Sequence, residues 1–351
     1  MDILLTHGYF LNEDEAEKRV MKPYPALGIL YLSSYLKSCG FAVEVFDSTF
    51  QSPEHFRRYI ASAQPPVVGI SINLMTKLNA LRMIRWCKEQ GSTVVVGGPE
   101  VPCYAEEFLR YGADVAVIGE GEHTLAELLP FVLDGRLNDL GHVAGIAYLG
   151  PDRTVIRTAP RPLIPDLDTL PFPDREAIPI QPYVDTWKTY HGRSSLSLLC
   201  ARGCPYSCTW CSRSVFGETH RRRSVHNVVD EIELLLDRYR PDQLWLADDV
   251  FTINYRWLFA FAEEMRRRNL RVPFECITRA DRLNEDVVRT LAELGALRVW
   301  FGSESGSQRI LDAMQRRVSV EEIRTATALL QRYGIEAGLF VMLGYPGEDL
   351  S

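Results

Sequence analysis

The sequence predicts an α/β chain in two parts: an N-terminal doubly wound parallel-sheet domain, then a partial barrel of βα units. Three observations carry that expectation. Apolar runs of strand length alternate with amphipathic helical stretches through both halves. Those of the first half are apolar end to end, the pattern of strands covered on both faces and so of a parallel sheet. A proline-rich stretch divides the two series and sets the boundaries at residues 1–140, 141–194 and 195–351. At 351 residues the chain also exceeds the size at which a single core stops growing.

In the first domain strands are expected at Asp2–Leu5, Ala42–Asp47, Val67–Ile72, Thr93–Val96 and Asp114–Ile118. Helices follow them near Leu27–Ser38, Glu54–Ser62, Lys77–Glu89, Tyr104–Tyr111 and Thr124–Leu133. Ligands of such folds bind beyond the carboxyl ends of the strands. Three turns stand there: Ser71-Ile72-Asn73, Gly97-Gly98-Pro99-Glu100 and Gly119-Glu120-Gly121-Glu122. Glycines at these places let a ligand approach the backbone, and they serve tight strand-to-helix turns equally well.

Residues 143–195 change character. Val143–Leu149 and Thr154–Thr158 flank Gly150-Pro151-Asp152-Arg153, a turn sequence that predicts a hairpin. Eight of the twenty prolines fall between Pro151 and Pro182, and the run from Asp166 to Pro173 cannot form a regular helix. This segment reads as a hairpin and interdomain linker.

The second half alternates again. Strands are expected at Ser195–Leu199, Gln243–Ala247, Phe274–Thr278, Leu297–Phe301 and Ala337–Leu343. Helices are expected near Val225–Arg238, Tyr255–Arg268, Glu285–Leu294, Gln308–Met314 and Val320–Tyr333. Repeated βα units of this size predict a parallel barrel with its chemistry at the carboxyl ends of the strands. Polar residues stand at those ends: Asp248-Asp249, Arg279, Ser303-Glu304-Ser305, and the turn Gly344-Tyr345-Pro346-Gly347-Glu348.

Composition narrows the function classes. With 39 Lys and Arg against 46 Asp and Glu, the net charge is −7, which leaves no footprint for nucleic acid. The one tight basic run, Arg221-Arg222-Arg223, reads as a solvated edge rather than a phosphate site. No apolar run is long enough to span a bilayer, and the start of the chain lacks the pattern of a signal peptide. A cytoplasmic protein without membrane contact is expected.

Four of the eight cysteines fall between residues 200 and 211. Clustered thiols of this kind read as metal-binding rather than as disulfides. Cys204, Cys208 and Cys211 form a C-x3-C-x2-C loop directly after an apolar strand. A [4Fe–4S] cluster usually takes four protein thiolates, so three leave one iron open to a substrate or cofactor. Cys200, four residues earlier, allows a second reading, a closed four-thiolate site.

Arg202-Gly203-Cys204-Pro205, the three spaced cysteines and Trp210 before the last of them resemble the cluster loop of radical S-adenosylmethionine (SAM) enzymes. The resemblance implies that Cys204, Cys208 and Cys211 ligate the cluster and that its open iron holds SAM. Reductive cleavage of SAM would then yield a 5′-deoxyadenosyl radical. The family also carries Asp-Asp-x-Phe, Glu-Ser-Gly and Gly-x-Pro-Gly-Glu elements in this order. Trp210, Asp248, Asp249, Arg279, Ser303, Glu304, Gly344 and Pro346 are accordingly the expected SAM-site residues, although Asp249 or Ser305 could instead cap the helix that follows.

The first domain, with Pro25-Ala26-Leu27-Gly28 and its two glycine-rich turns, is similar to the cobalamin-binding domain fused to one large class of these enzymes. That implies cobalamin contacts from Ser71, Asn73, Gly97, Gly98, Pro99, Glu100, Gly119, Glu120, Gly121 and Glu122. The Asp-x-His-x-x-Gly signature of a cobalt-ligating histidine does not occur, and His7 stands alone after the first strand. Base-off cobalamin without a protein imidazole is therefore expected.

Barrels resembling this one usually have six βα units, and the sequence stops after the fifth strand, which suggests a fragment. The resemblance implies a cobalamin-dependent radical SAM enzyme, for methyl transfer to carbon or for an oxidative cyclisation like that of the anaerobic magnesium-protoporphyrin monomethyl ester cyclases. Its substrate would be a small molecule of natural-product type, and its electron donor a flavodoxin or ferredoxin. The other readings are a radical SAM barrel whose first domain ignores cobalamin, and a non-catalytic iron–sulfur or zinc protein.

Overall fold

The computed structural model describes residues 1–212 and 215–349. They form two compact units, the first built mainly from residues 1–165 and 169–190, the second from 191–212 and 217–349.

The first unit is a seven-stranded sheet of order β2-β1-β3-β4-β5-β6-β7. Its strands are β1 (Ile3–His7), β2 (Val43–Phe46), β3 (Val67–Ser71), β4 (Thr93–Gly97), β5 (Val115–Val117), β6 (Ile146–Leu149) and β7 (Val155–Arg157). The helices are α1 (Glu15–Val20), α2 (Leu27–Ser38), α3 (Pro53–Ala63), α4 (Lys77–Glu89), α5 (Val101–Tyr111), α6 (Gly121–Leu133) and α7 (Gln181–His191). β1 to β5 are parallel in the order 2-1-3-4-5, whose switch point lies between β1 and β3. Ile3, Val67, Val68, Ile70, Val94 and Val96 are all buried, and cores form on both faces of this sheet. Each such side chain contributes roughly 1.5–3 kcal/mol on burial.

Two differences from the expectation concern the middle of the chain. The hairpin β6-β7 does not begin a linker: it pairs antiparallel with β5 and extends the first sheet. Its pairing partner lies about thirty residues upstream, outside the reach of any local pattern. The proline-rich segment also ends in a full helix, α7, whose Tyr183, Val184 and Trp187 are buried. Tyr183 donates to Asp47 at 2.9 Å, and the Trp187 indole donates to the Pro23 carbonyl at 2.8 Å, so the first unit holds this helix.

The second unit has a five-stranded sheet made of β8 (Ser195–Leu198), β11 (Gln243–Leu246), β12 (Phe274–Thr278), β13 (Ala296–Glu304) and β14 (Glu336–Val341), in that spatial order and all parallel. The short pair β9 (Ala201–Arg202) and β10 (Arg221–Arg222) is antiparallel and separate. The helices are α8 (Val225–Arg238), α9 (Tyr255–Arg267), α10 (Glu285–Leu294), α11 (Gln308–Ala313) and α12 (Val320–Arg332). Parallel neighbours that follow each other in sequence, with helices between them, have the connectivity of a barrel wall.

Side-chain caps fix the helix starts. Ser224 caps α8, Asn254 caps α9, Asn284 caps α10, and Ser319 with Glu322 forms a capping box on α12. Each such cap is worth about 1 kcal/mol. Asn254 rather than Asp249 caps the helix that follows, and among the described residues Asp249 caps no helix.

Candidate active site

The cysteine loop is closed at its base before any metal is considered. β9 and β10 pair Ala201 with Arg222 and Arg202 with Arg221, so residues 203–220 leave and re-enter through one two-stranded neck. Gly203 sits there at φ +87°, and a Cβ on it would overlap the Thr219 carbonyl, so only glycine fits. Asp248, fully buried, accepts the backbone N–H groups of Cys200 at 2.7 Å and Ala201 at 3.0 Å through Oδ1. Its Oδ2 faces Arg222 Nη2 at 3.1 Å.

Asp248 thus scaffolds the neck through Oδ1, while Oδ2 faces Arg222 without a hydrogen bond among the described residues. That arrangement also corrects one expectation. The basic run is no solvated edge. Arg222 also donates to the Phe251 carbonyl at 2.9 Å and stacks 4.3 Å from the Trp257 ring, while Arg223 pairs with buried Glu231 and donates to the Leu199 carbonyl at 2.8 Å.

Further clamps hold the loop itself. The Thr209 N–H donates to the Met314 carbonyl at 3.1 Å, and its hydroxyl lies 3.0 Å from that of Tyr345. Tyr345 belongs to the Gly-Tyr-Pro-Gly-Glu turn after β14, where Glu348 accepts from the backbone of Gly344 and Tyr345. Gly344 takes φ +84°. Arg282 donates to the Tyr206 hydroxyl at 2.6 Å, and the Arg279 guanidinium lies 3.8 Å over the Tyr206 ring.

Of the three loop cysteines, Cys208 is buried, Cys204 intermediate and Cys211 exposed. Burial pushes the Cys204 and Cys211 thiols up; the neighbouring thiols and Asp249 add to this, opposed by Arg279 at Cys204 and by Arg316 at Cys211. The three thus form one electrostatic group. Cys200 stands apart in the core after β8, its thiol raised well above its ordinary value by burial and then by Asp248. Its charged neighbours are Asp248, Arg222, Arg223 and Glu231.

Two guanidinium groups reach Cys208 Sγ, Arg316 Nη1 at 3.6 Å and Arg279 Nη1 at 3.8 Å. Arg279, expected at SAM, donates to Cys208, Asp281 and the Arg316 carbonyl. No motif singled out Arg316 or Met314, and Tyr345 stood only at the variable position of the Gly-x-Pro-Gly-Glu element. Their part in the loop rests on contacts across a hundred residues and more, which a local pattern does not carry.

Around the loop, Glu304 is buried at the end of β13 with φ +57°, where the register with β14 shifts. Burial raises its carboxyl above the usual range, opposed by Arg316 at 3.7 Å. Ser303 donates to the Phe340 carbonyl at 2.9 Å and holds the strand end. Asp249 and Trp210 are exposed. Although Asp249 is exposed as a residue, partial desolvation of its carboxyl and then the adjacent Asp248 raise it above the usual range.

The donor set fits a cluster with an open iron: three thiols of one electrostatic group, two cations on the buried one, and free carboxylate capacity at Asp249. Among the described residues no three Cys, His, Asp or Glu side chains gather around a single point. Thiolates that each bind a different iron need not do so.

In the first unit the switch-point edge carries His7, Gly8, Ser71 and the Gly97-Gly98 turn. Gly98, at φ +101°, lies so close to β3 that a Cβ would come 2.6 Å from the Ile72 carbonyl oxygen. The Ile72 N–H donates to the Gly97 carbonyl at 2.8 Å, and the Glu100 N–H to the Ile72 carbonyl at 3.2 Å, which ties the two turns together. Asn73, exposed, accepts from the Thr76 N–H at 2.9 Å, and Glu100 pairs with Lys77 at 3.5 Å. Pro99 is exposed between them.

The Gly119–Glu122 turn behaves differently. Buried Glu120 accepts the Ile164 N–H at 2.7 Å, Gly121 packs on Leu32, and Glu122 is buried. Gly119 takes φ +91°. Through its bond to Ile164, Glu120 ties the turn to that segment. His7 is likewise engaged: Nδ1 accepts the Tyr9 N–H at 3.2 Å and Nε2 donates to Asp47 at 3.0 Å. Neither ring nitrogen is left for cobalt.

An α/β ligand domain joined to a barrel-type sheet, whose first strand leads into a clamped three-cysteine loop, defines an iron–sulfur enzyme with a second cofactor domain. Comparison with known proteins gives that class its name. Residues 198–351 match the Radical SAM superfamily model and residues 19–129 the B12 binding domain model. An uncharacterized methyltransferase of Pyrococcus horikoshii is 28% identical over 343 residues, covering 95% of this chain and 73% of that protein. The anaerobic magnesium-protoporphyrin IX monomethyl ester cyclase of Rubrivivax gelatinosus is 29% identical over 335 residues, covering 93% of this chain and 60% of the cyclase. The fold is shared with the radical SAM methyltransferase TsrM of Kitasatospora setae at TM-score 0.80 and 20% identity, over 99% of this chain and 68% of TsrM.

The chain thus combines a radical SAM domain with a B12-binding domain, the pairing found in the cobalamin-dependent radical SAM family. The family's cofactors are a [4Fe–4S] cluster, SAM and cobalamin. Among the described residues no helix is long and apolar enough to cross a membrane.

Proposed function

We propose that this protein is a cobalamin-dependent radical SAM methyltransferase acting on carbon. The carrying observation is the clamped loop that offers three thiols and keeps the fourth cysteine, Cys200, buried apart from them. When bound, the three cofactors supply reductive cleavage of SAM, hydrogen abstraction from substrate and a methyl group for the resulting carbon radical.

The chain's own residues position these groups. Cys204, Cys208 and Cys211 hold the cluster. Asp249, Glu304 and the turn of Gly344 and Pro346 are candidates for the amino group and ribose of SAM, with Trp210 beside the last cysteine. Ser71, Gly97 and Gly98 line the edge where cobalamin would lie, and the tied ring of His7 favours a base-off form. The substrate is a small molecule of natural-product type, and a flavodoxin or ferredoxin supplies the electron. The eight unpaired thiols suit the reducing cytoplasm.

Oxidative cyclisation is the second reading, favoured by the identity to the Rubrivivax cyclase. Turnover of reconstituted protein with candidate substrates separates the two. S-adenosylhomocysteine together with 5′-deoxyadenosine supports methyl transfer, and 5′-deoxyadenosine alone supports cyclisation.

A further inference from the structure

Among the three loop cysteines, Cys208 differs in kind. It is buried, and both guanidinium donors converge on its sulfur, Arg316 at 3.6 Å and Arg279 at 3.8 Å. We propose that Arg316 and Arg279 are positioning residues that set the reduction potential of the cluster by donating hydrogen bonds and positive charge to the Cys208 ligand. The inference rests on the reading that Cys208 binds the cluster.

Both guanidinium groups are locked. Arg279, at the end of β12, has Nε on Asp281 at 2.8 Å, Nη2 on the Arg316 carbonyl at 2.8 Å, and the Tyr206 ring against its plane. Only Nη1 is turned to the sulfur. Arg316, after α11, places Nη2 on the Gly302 carbonyl at 3.1 Å beside the Glu304 carboxylate, which again leaves Nη1 for the sulfur. Gly302 makes this possible, because a Cβ there would overlap both the Arg316 guanidinium and the Glu304 carboxylate.

Arginine stays charged in any protein setting, and a charge in a buried site acts far more strongly than one in water. Cluster potentials follow net charge, hydrogen bonds to sulfur and exposure. The cluster gains one electron from an external reductant and loses or gains no atoms. Added negative charge is stabilised by donors already aimed at the most shielded ligand. Asp281 and Glu304 offset part of the positive charge, and among the described residues the side chains that hydrogen-bond to the sulfur are both cations.

A purely structural clamp would affect cluster loading and leave the potential alone. The test is therefore a redox titration monitored by electron paramagnetic resonance, on the anaerobically reconstituted full chain without SAM. Arg316→Gln and Arg279→Gln should each bind four irons per chain and lower the equilibrium constant for one-electron reduction tenfold or more, a shift of about 59 mV. Arg316→Lys, which keeps the charge, should stay within threefold of wild type. If Arg316→Gln does not fold, Arg279→Gln carries the result. Fully loaded Gln variants with the wild-type potential overturn the inference while the functional reading stands. A wild-type chain that takes up no [4Fe–4S] cluster overturns both.

Discussion

The Asp248 carboxylate accepts the backbone N–H of Cys200 at 2.7 Å, and through this bond the end of β11 fixes the start of the cysteine loop. The same oxygen takes the N–H of Ala201, and Arg222 closes the far side. Replacing Asp248 with Ala strands a buried arginine and two buried amides, with an expected loss of about 3 kcal/mol or more. Asp248→Asn keeps an acceptor for both amides and should fold with most of its iron-binding capacity. Urea denaturation and iron analysis of the two variants check this, and equal behaviour would count against the scaffold role.

Cys200 provides a second test. Its thiol is buried in the sheet core, so Cys200→Ala removes one core atom at about 1 kcal/mol and should leave iron content unchanged. Single Ala variants of Cys204, Cys208 and Cys211 should each lose most of the cluster. Iron and sulfide analysis after reconstitution decides between this pattern and a closed four-thiolate site.

Gly98 combines φ +101° with an approach to the Ile72 carbonyl that leaves no room for a Cβ. Gly98→Ala should destabilise the first unit by about 2 kcal/mol and weaken cobalamin binding. Gly119→Ala, which has open space around it, should cost less and leave cobalamin binding nearly intact. Thermal denaturation with hydroxocobalamin titration compares them. Equal affinities for the two variants would remove the Gly97-Gly98 turn from the cobalamin edge.

His220, just before β10, is held neutral: burial, then the Arg222 charge, lowers its pKa to about 4. A histidine depressed in the folded state stabilises fully above its unfolded pKa near 6.5, and that contribution fades as pH falls from there toward 4. The protein should therefore lose thermal stability between pH 6.5 and 4 more steeply than His220→Gln does. Parallel slopes in melting curves across this window would rule out His220 as the cause.

Much of the fold was legible because strands buried on both faces announce themselves as unbroken apolar runs such as Val67–Ile72 and Thr93–Val96. The hairpin β6-β7 was misplaced since nothing local tells a linker strand from one that pairs with β5. Helix α7 was hidden among prolines, although Tyr183, Val184 and Trp187 carry helical spacing.

At the candidate site the cysteines were legible from spacing alone. The roles of the charged residues were not, because a carboxylate or guanidinium at a strand end looks the same whether it faces a cofactor or a backbone amide. Asp248 and Arg279 are two such residues. Arg316 offered no signal, since its meaning depends on Cys208, more than a hundred residues away.

SAM cleavage by the reduced, reconstituted protein tests the central claim most directly. Wild type and Cys200→Ala should both form 5′-deoxyadenosine and methionine when supplied with dithionite or reduced flavodoxin, while Cys208→Ala should form neither. A wild-type protein that carries a full cluster and leaves SAM intact, or cleavage that disappears with Cys200, would contradict the account.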